Sequence, residues 1–404
     1  MSPFVDALLL QAGYNAALVA IGAGLLGFAA GSSGTFLFLR KRALVSDAVA
    51  HATLPGVGLA FILMVSLGGD GRSLLGLLLG SAATAWLGLL LIEWITRNTR
   101  LAEDTAIGAV LGVFFGFGIV LLTVIQTMSA GRQAGLEGFL LGFTAGMLFE
   151  DAVVIAVGGS LAVLATWLLR RPMTLVAFDR DYAAALGYDV RRIDLLIMGL
   201  VMAVTVIGLK LVGLILIVAM LIIPAVTARF WTQRSNRVIW IAGGVGGAAG
   251  YLGAVLSASA PALPTGPIIV LTAAAIFVFS LLFAPVRGVL AALLRHRRFQ
   301  ARVHRRQGLL ALAARHPIRE AYTLRLLARE GLVRPDGVPT DAGRAQAAKV
   351  ARDERRWDVA REIHQDAGLT GRYDGLTPIE EVFTADEIAE FDRRLGPPVA
   401  VEAG

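Results

Sequence analysis

The chain has 404 residues, of which 56% are hydrophobic, and its formal net charge is +7. Its mean hydropathy of +0.70 excludes an ordinary soluble protein and indicates a chain that crosses the membrane several times. Cysteine is absent, which excludes disulfides, thiolate metal sites and cysteine nucleophiles, and argues against a pathway for a soft ion such as copper(I).

Apolar runs of membrane-spanning length follow one another through the first 286 residues. Runs of about 17 to 25 residues predict a polytopic all-α membrane domain with nine transmembrane helices, within a range of eight to ten. The predicted spans are residues 14–38, 43–67, 73–96, 104–127, 151–169, 193–210, 212–228, 238–257 and 266–286. A shorter apolar segment, Gly135–Phe149, is interpreted as a re-entrant helix that is buried by protein.

The distribution of basic residues sets the orientation of these spans. Loops on one side of the membrane carry thirteen lysines and arginines, whereas loops on the other side carry three. Because basic loops stay in the cytoplasm, we expect the N-terminus outside the cell membrane and the C-terminus inside. The N-terminal residues lack the positive charge of a signal peptide, so no cleavable signal is predicted.

An aspartate and a histidine lie within the second predicted span, after a basic triplet that ends at Arg42. Asp47 and His51 are four residues apart and therefore share a helix face, and His51 is about 13 Å beyond Arg42, near the midplane of the bilayer. Ionisable groups in hydrocarbon usually line a pathway, and a carboxylate with an imidazole suits Mn, Fe or Zn. The alternative is a structural hydrogen bond within the membrane.

Pro55 and Gly56 follow the histidine by about one helical turn. A proline within a helix removes one amide donor, and a glycine next to it weakens the helix further. We expect this pair to loosen the helix near the pathway and to leave backbone carbonyls that help a passing ion shed water. A kink that serves only helix packing is the alternative.

Four segments in the membrane part, beginning with the Asp47–His51 segment SDAVAHATLPG, resemble the permease subunits of bacterial ABC importers for manganese, zinc and iron. The resemblance covers nearly the whole membrane part and implies that Asp47 and His51 contact the transported ion. Two ligands are fewer than the four to six that these metals prefer, so two chains around a twofold axis would supply two aspartates and two histidines. The matching segments, in the order of the family, are Ser46–Gly56 (SDAVAHATLPG), Glu103–Leu122, Phe178–Tyr188 (FDRDYAAALGY) and Leu211–Arg229.

The resemblance also implies partners. They are a second permease chain, identical or related, a cytosolic ABC ATPase dimer and an extracytoplasmic metal-binding protein that delivers the metal. The chain contains no GxxxxGK[ST] loop, so ATP hydrolysis is expected in a separate subunit and the chain itself is not expected to be an enzyme. The metal ion is cargo, and no permanently bound cofactor is expected.

The loop Arg170–Arg192 is the one sizeable cytosolic loop predicted within the membrane part. By resemblance it holds the coupling helix that docks in a groove of the ATPase. We expect a short amphipathic helix with Phe178, Ala183 and Leu186 on one side, and the alternative is a helix that lies on lipid. The residues assigned to ATPase coupling are Phe178, Asp179, Ala183 and Gly187.

The composition changes abruptly after Pro285. Arg287–Gly404 holds 21 of the 37 basic and 17 of the 30 acidic residues, which predicts a cytosolic domain after a transmembrane domain of residues 1–286. The charge within this domain is divided. Residues 287–361 have a net charge of +11, and residues 362–404 have a net charge of −7.

Two segments of the cytosolic part resemble iron-dependent repressors of the diphtheria toxin repressor family. Thr323–Ile363 is similar to their winged-helix end and linker helix, and Pro378–Pro398 to their dimerisation segment. This resemblance implies a small winged-helix-like α(+β) domain. Glu354 stands where the family has a histidine, and Glu381 follows a glutamate where the family has histidine, so metal sensing at these sites is not expected.

The motifs together favour the permease of an ATP-driven importer of manganese or zinc, with iron as a further candidate, that works by alternating access of a dimeric pore. One alternative is a membrane-anchored, metal-responsive regulator with a DNA-binding tail. Nucleic acid is disfavoured because the part before Thr323 is too short for the complete DNA-reading unit. A proton-driven carrier would need more intramembrane carboxylates than Asp47.

Overall fold

The computed structural model describes residues 3–69, 71, 73–128, 147–260, 263–363 and 373–396. Contacts between residues divide the chain into two compact units, Met1–Ala291 and Ala292–Gly404, and each is described by itself. In the described parts of both units the regular secondary structure is helical. β pairing there is confined to one isolated antiparallel bridge, between Val333 and Pro339.

The helices are numbered in chain order. Those before residue 285 are α1 (Pro3–Leu8), α2 (Tyr14–Leu39), α3 (Ala43–Ser66), α4 (Leu74–Asn98), α5 (Glu103–Thr127), α6 (Phe149–Phe178), α7 (Arg180–Ala185), α8 (Val190–Trp231), α9 (Ser235–Ala258) and α10 (Thr265–Phe283). Those after it are α11 (Val289–Ala313), α12 (Ala321–Arg329), α13 (Asp341–Ile363) and α14 (Ala385–Leu395), with a 3₁₀ turn at Ile379–Glu381.

Eight helical segments of the described chain are long and apolar enough to cross a membrane, so the prediction of a multi-pass helical protein is confirmed. Within those ranges the number of such helices is eight, the lower end of the predicted range of eight to ten. The predicted spans 193–210 and 212–228 form one helix, α8, which is broken at Gly213, and the part after the break, Leu216–Trp231, is shorter than a membrane span. Most of the predicted re-entrant segment 135–149 lies outside the described residues.

Gly213 causes the break because its φ of +75° lies in the left-handed region, which residues with a side chain rarely adopt. The two parts of α8 pack against each other next to the break. A Cβ placed on Gly208 would lie only 2.5 Å from the side chain of Ile217. The chain therefore changes direction at Gly213 instead of continuing as a straight helix.

The first unit, Met1–Ala291, is the membrane unit. Helix α2 forms its centre, and small residues let α9 approach α2 closely. A Cβ on Gly27 would lie 2.2 Å from the carbonyl oxygen of Gly246, and one on Gly250 would lie 2.2 Å from that of Ala23. Close contact between the backbones gains dispersion energy. This matters in a membrane, because lipid tails are as apolar as the helices and the hydrophobic effect does not drive helices together. The glycines of α9 therefore serve tight helix packing.

The second unit has two small apolar cores. Trp357 is fully buried and packs against Tyr373 and Phe383, and a separate cluster surrounds Leu327. The winged-helix α(+β) expectation is not supported, because the described residues hold no sheet. The pairing stops at one bridge because the amides that would extend it donate elsewhere, that of Leu332 to the Leu327 carbonyl and that of Val338 to the Asp336 carboxylate.

Glu354 stands where the repressor family has a metal ligand, but its carboxylate is already bound by other side chains of this chain. Its carboxylate accepts hydrogen bonds from Arg306, at 2.5 Å, and from the Tyr373 hydroxyl. Burial alone would raise the pKa of Glu354, but the hydrogen bonds from Tyr373 and Arg306 lower it. The side chain is therefore an ionised structural partner, as its departure from the histidine pattern suggests.

Candidate functional site

Helix α3 carries the ionisable pair that the sequence singles out. The helix begins just after Arg42, so Asp47 and His51 lie on its first turns, on one face. The Nε2 atom of His51 is 3.5 Å from the Oδ1 atom of Asp47. This distance is long for a hydrogen bond, so neither group is fully engaged by the other.

The pair lies in a partly open position. The Asp47 side chain is 41% exposed and that of His51 is 20% exposed. The edge of the imidazole meets the Phe115 ring of α5 at a centroid distance of 5.0 Å, whereas the buried Nδ1 atom has no hydrogen-bond partner among the described residues. A hydrogen bond to Asp47 therefore cannot satisfy the whole imidazole, and a buried nitrogen without a partner is costly unless it binds a ligand.

Pro55 acts on the same residue through the backbone. It lies inside α3 and has no N–H to donate to the carbonyl of His51, which is four residues earlier. His51 therefore has, besides its imidazole, a backbone carbonyl that lacks the hydrogen-bond donor it would have in a regular helix. The proline ring packs on α5, where a Cβ on Gly118 would lie 3.3 Å from the Pro55 Cδ atom.

Gly56 lies where α3 packs closely against α4. A Cβ at this position would lie 2.1 Å from the carbonyl oxygen of Gly80 and 2.3 Å from the Thr84 hydroxyl, both on α4. The helix continues through Gly56 to Ser66. This geometry favours the packing alternative, because the glycine lets α3 and α4 cross in direct contact.

Replacing Gly56 with valine is expected to separate α3 from α4, because the new side chain has no space. Overpacking of this kind costs about 1–3 kcal/mol or more. The thermal stability of the purified protein in detergent should fall clearly. Gly244→Val is the matched control, since no atom lies within 4 Å of a Cβ at that helical position. Equal stability of the two variants would contradict the packing role.

The segment assigned to ATPase coupling forms the short helix α7 with both ends capped. The Asp179 carboxylate accepts a hydrogen bond from the Tyr182 amide at 2.9 Å. At the other end Gly187 has φ +86°, and the amide of Tyr188 donates to the carbonyl of Ala183 at 3.1 Å. This is the Schellman ending that glycine favours, so Gly187 fixes the shape of the segment.

The faces of this segment differ from the prediction. Ala183 is fully buried and packs on the membrane unit with Phe36 and Ile197, whereas Phe178 and Leu186 are exposed. The predicted common side of Phe178, Ala183 and Leu186 is therefore wrong, because Ala183 is buried while Phe178 and Leu186 lie at the surface. The exposed apolar groups, which also include Tyr182, form a surface suited to a partner.

Ion pairs at the basic edge of the membrane unit were missed in the sequence. Asp194 accepts a hydrogen bond from Arg180 at 2.5 Å and also forms an ion pair with Arg40. Arg42 pairs with Glu103 at 2.5 Å. From the sequence these acids are merely boundary residues at helix starts. Asp194 and Glu103 lie at the same predicted membrane edge as the basic triplet, and this proximity could have indicated the ion pairs.

Within the described ranges, no group of three or more histidine, aspartate or glutamate side chains is close enough to hold a metal ion. At α3 one chain therefore has two candidate ligands, Asp47 and His51, together with the freed carbonyl. Manganese and zinc need four to six ligands, so a second set of donors is required to complete a site.

The bundle of apolar helices defines a multi-pass membrane protein, with the partly exposed Asp47–His51 pair on α3. Residues 14–284 match the family model "ABC 3 transport family". The chain belongs to this family. Its residues after 284 lie outside the match.

Two of the similar proteins are named as membrane proteins of metal transport systems. The chain is 43% identical over 298 residues to "Manganese transport system membrane protein MntC" of Bacillus subtilis, covering 74% of this chain and 67% of the relative. It is 38% identical to "Zinc transport system membrane protein TroC" of Treponema pallidum, covering 70% and 94%. The structure "PsaBC from Streptococcus pneumoniae in complex with Fab" superposes with a TM-score of 0.60 at 32% identity, covering 70% and 96%.

Proposed function

We propose that the chain is the permease subunit of an ATP-driven importer of a divalent transition metal, manganese or zinc, with iron as a further candidate. The Asp47–His51 pair carries this proposal, because it combines a carboxylate and an unsatisfied imidazole on a partly open face within a membrane helix. The relatives named for manganese and zinc support the same cargo.

The two parts of the chain have separate places in this proposal. Residues 1–286 form the permease domain in the cell membrane, and residues 287–404 form a cytosolic domain. The N-terminus lies outside, because the basic residues of the loops gather at the opposite membrane face. The cytosolic domain, with its resemblance to metal-dependent repressors, regulates the transporter, and the engagement of Glu354 by Arg306 argues against a metal ligand at that position.

Three partners complete the transporter. A cytosolic ABC ATPase dimer docks on the exposed Phe178, Tyr182 and Leu186 of the coupling segment, and Ala183 transmits its movement because it is packed into the membrane unit. An extracytoplasmic metal-binding protein delivers the ion at the opposite face. A second permease chain, identical or related, provides the other half of the pore.

Helix α5 provides the seam for the second chain. Gly108, Gly112 and Gly116 recur every four residues, and a Cβ on any of them would meet no atom within 4 Å. Small residues at this spacing allow membrane helices to cross closely. Phe115, on the same helix, contacts His51, so a seam along α5 would bring the two metal pairs toward the twofold axis.

Cysteine crosslinking tests this seam, and the chain has no cysteine of its own to interfere. Gly112→Cys is expected to form a disulfide-linked dimer on mild oxidation in the membrane, because helices that cross closely bring Cα atoms within disulfide distance. Gly244→Cys on α9 is the control, since it also has an open surface position. Crosslinking of the control but not of Gly112→Cys would exclude a seam at α5.

Reconstitution tests the function itself. The chain is assembled in proteoliposomes with its ATPase and its metal-binding protein, and radiolabelled Mn²⁺ or Zn²⁺ is supplied outside. ATP-dependent uptake of at least one of these ions, without uptake of Ca²⁺, is the expected result, because an imidazole selects against the hard ion. Absence of ATP-dependent uptake of Mn²⁺, Zn²⁺ and Fe²⁺ by an assembled complex would overturn the proposal.

A further inference from the structure

The turn that joins α2 to α3 is held in an uncommon conformation. Lys41, at its centre, has φ +58°, which is unusual for a residue with a side chain. Such a conformation persists only when neighbouring contacts enforce it. The residues on each side of Lys41 are arginines, and both are ion-paired to other helices.

Asp194 joins the first of these arginines to the coupling segment. It lies near the start of α8 and pairs with Arg40 on one side and with Arg180 of α7 on the other. The Arg40 side chain is 5% exposed and that of Asp194 is 14% exposed, whereas Arg180 is 48% exposed. One buried carboxylate thus holds an arginine of the coupling helix and an arginine of the turn at the same time.

The second arginine of the turn binds elsewhere. Arg42 pairs with Glu103 at the start of α5, the helix whose Phe115 meets the His51 ring. Asp47 follows Arg42 by five residues along α3. The two ends of the turn are therefore tied to α8 and to α5, and the metal pair lies on the helix that begins where the turn ends.

We propose that Asp194 is a positioning residue that links the coupling helix α7 to the turn at residues 40–42, so that movement of α7 reorients Asp47 and His51. This inference rests on the proposed function and adds how the ATPase-coupling helix is connected to the Asp47–His51 pair. A push on α7 moves Arg180, and Asp194 carries the displacement to Arg40 and the strained turn. An interaction between closely packed charges resists gradual deformation and favours discrete arrangements.

The experiment measures metal ions transported per ATP hydrolysed by the reconstituted complete transporter. Asp194→Asn keeps the shape of the side chain but removes its charge, and Arg180→Ala removes the link to α7 at a half-exposed position. In each variant the ratio should fall about fivefold or more, in the range of allosteric coupling energies. Equilibrium metal binding and co-purification of the ATPase should stay at the wild-type level, and Arg180→Lys should restore the ratio.

Arg192→Ala is the matched control. This arginine lies in the same stretch of chain but is 84% exposed and pairs with Asp189 at 2.9 Å, one turn away, so its loss should leave the ratio unchanged. A wild-type ratio in Arg180→Ala overturns the link even if Asp194→Asn fails to assemble. Equal losses of metal binding and of the ratio would also overturn it, because they indicate a structural role. Failure of the wild-type complex to transport metal would instead count against the proposed function.

Discussion

Asp47→Asn is expected to abolish metal uptake by the assembled transporter. Asparagine keeps the size of the side chain and one oxygen ligand, but it removes the negative charge that offsets the cost of a divalent ion in the membrane. Loss of even an outer partner of a metal site costs roughly 10- to 100-fold in affinity, so loss of a direct ligand should cost at least as much. Initial rates of Mn²⁺ or Zn²⁺ uptake in proteoliposomes measure the effect.

His51→Ala should give a loss of the same size, because the imidazole is the second proposed ligand of the pair. Ser46→Ala is the control for both variants. Its hydroxyl is buried on the same helix and donates to the Ala43 carbonyl at 2.7 Å, so its removal changes α3 without touching the metal pair. Wild-type uptake in Asp47→Asn, with the control also normal, would show that the ion takes another path.

The double variant Phe178→Ala/Leu186→Ala is expected to uncouple the ATPase. Both side chains are exposed and apolar beside the buried anchor Ala183, as expected of hot spots in a docking surface, where each truncation costs about 2 kcal/mol or more. The protein should fold normally, since neither side chain is in its core. Co-purification of the ATPase and its stimulated ATP hydrolysis should both fall strongly.

Leu67→Ala provides the control for this variant, because Leu67 is a highly exposed leucine just after the C-terminal end of α3. It should leave hydrolysis unchanged. If the segment lies on lipid instead, the double variant would keep full ATPase stimulation, and the coupling assignment would be wrong.

The spans could be predicted because hydropathy alone requires them. The predicted span 14–38 corresponds to Tyr14–Leu39, and 43–67 corresponds to Ala43–Ser66. The predicted boundary between the spans 193–210 and 212–228 lies close to the break at Gly213, but the sequence does not identify which of the 46 glycines adopts a positive φ. A local pattern does not contain that information.

The candidate site divides in the same way. The i to i+4 spacing alone places Asp47 beside His51, so that contact was accessible from the sequence. The burial of Ala183 and the pairing of Asp194 with Arg40 depend on how separate helices meet. The repressor resemblance predicted a winged sheet, but the described residues hold one bridge, because the amides of Leu332 and Val338 donate to Leu327 and Asp336 instead of across it.

The location of the transported ion tests the central claim most directly. Anomalous X-ray scattering at the manganese or zinc absorption edge, recorded from the assembled transporter with metal, should give a peak between the Asp47–His51 pairs of two permease chains. A metal peak at another place in the membrane, with these pairs facing acyl chains, would contradict the account.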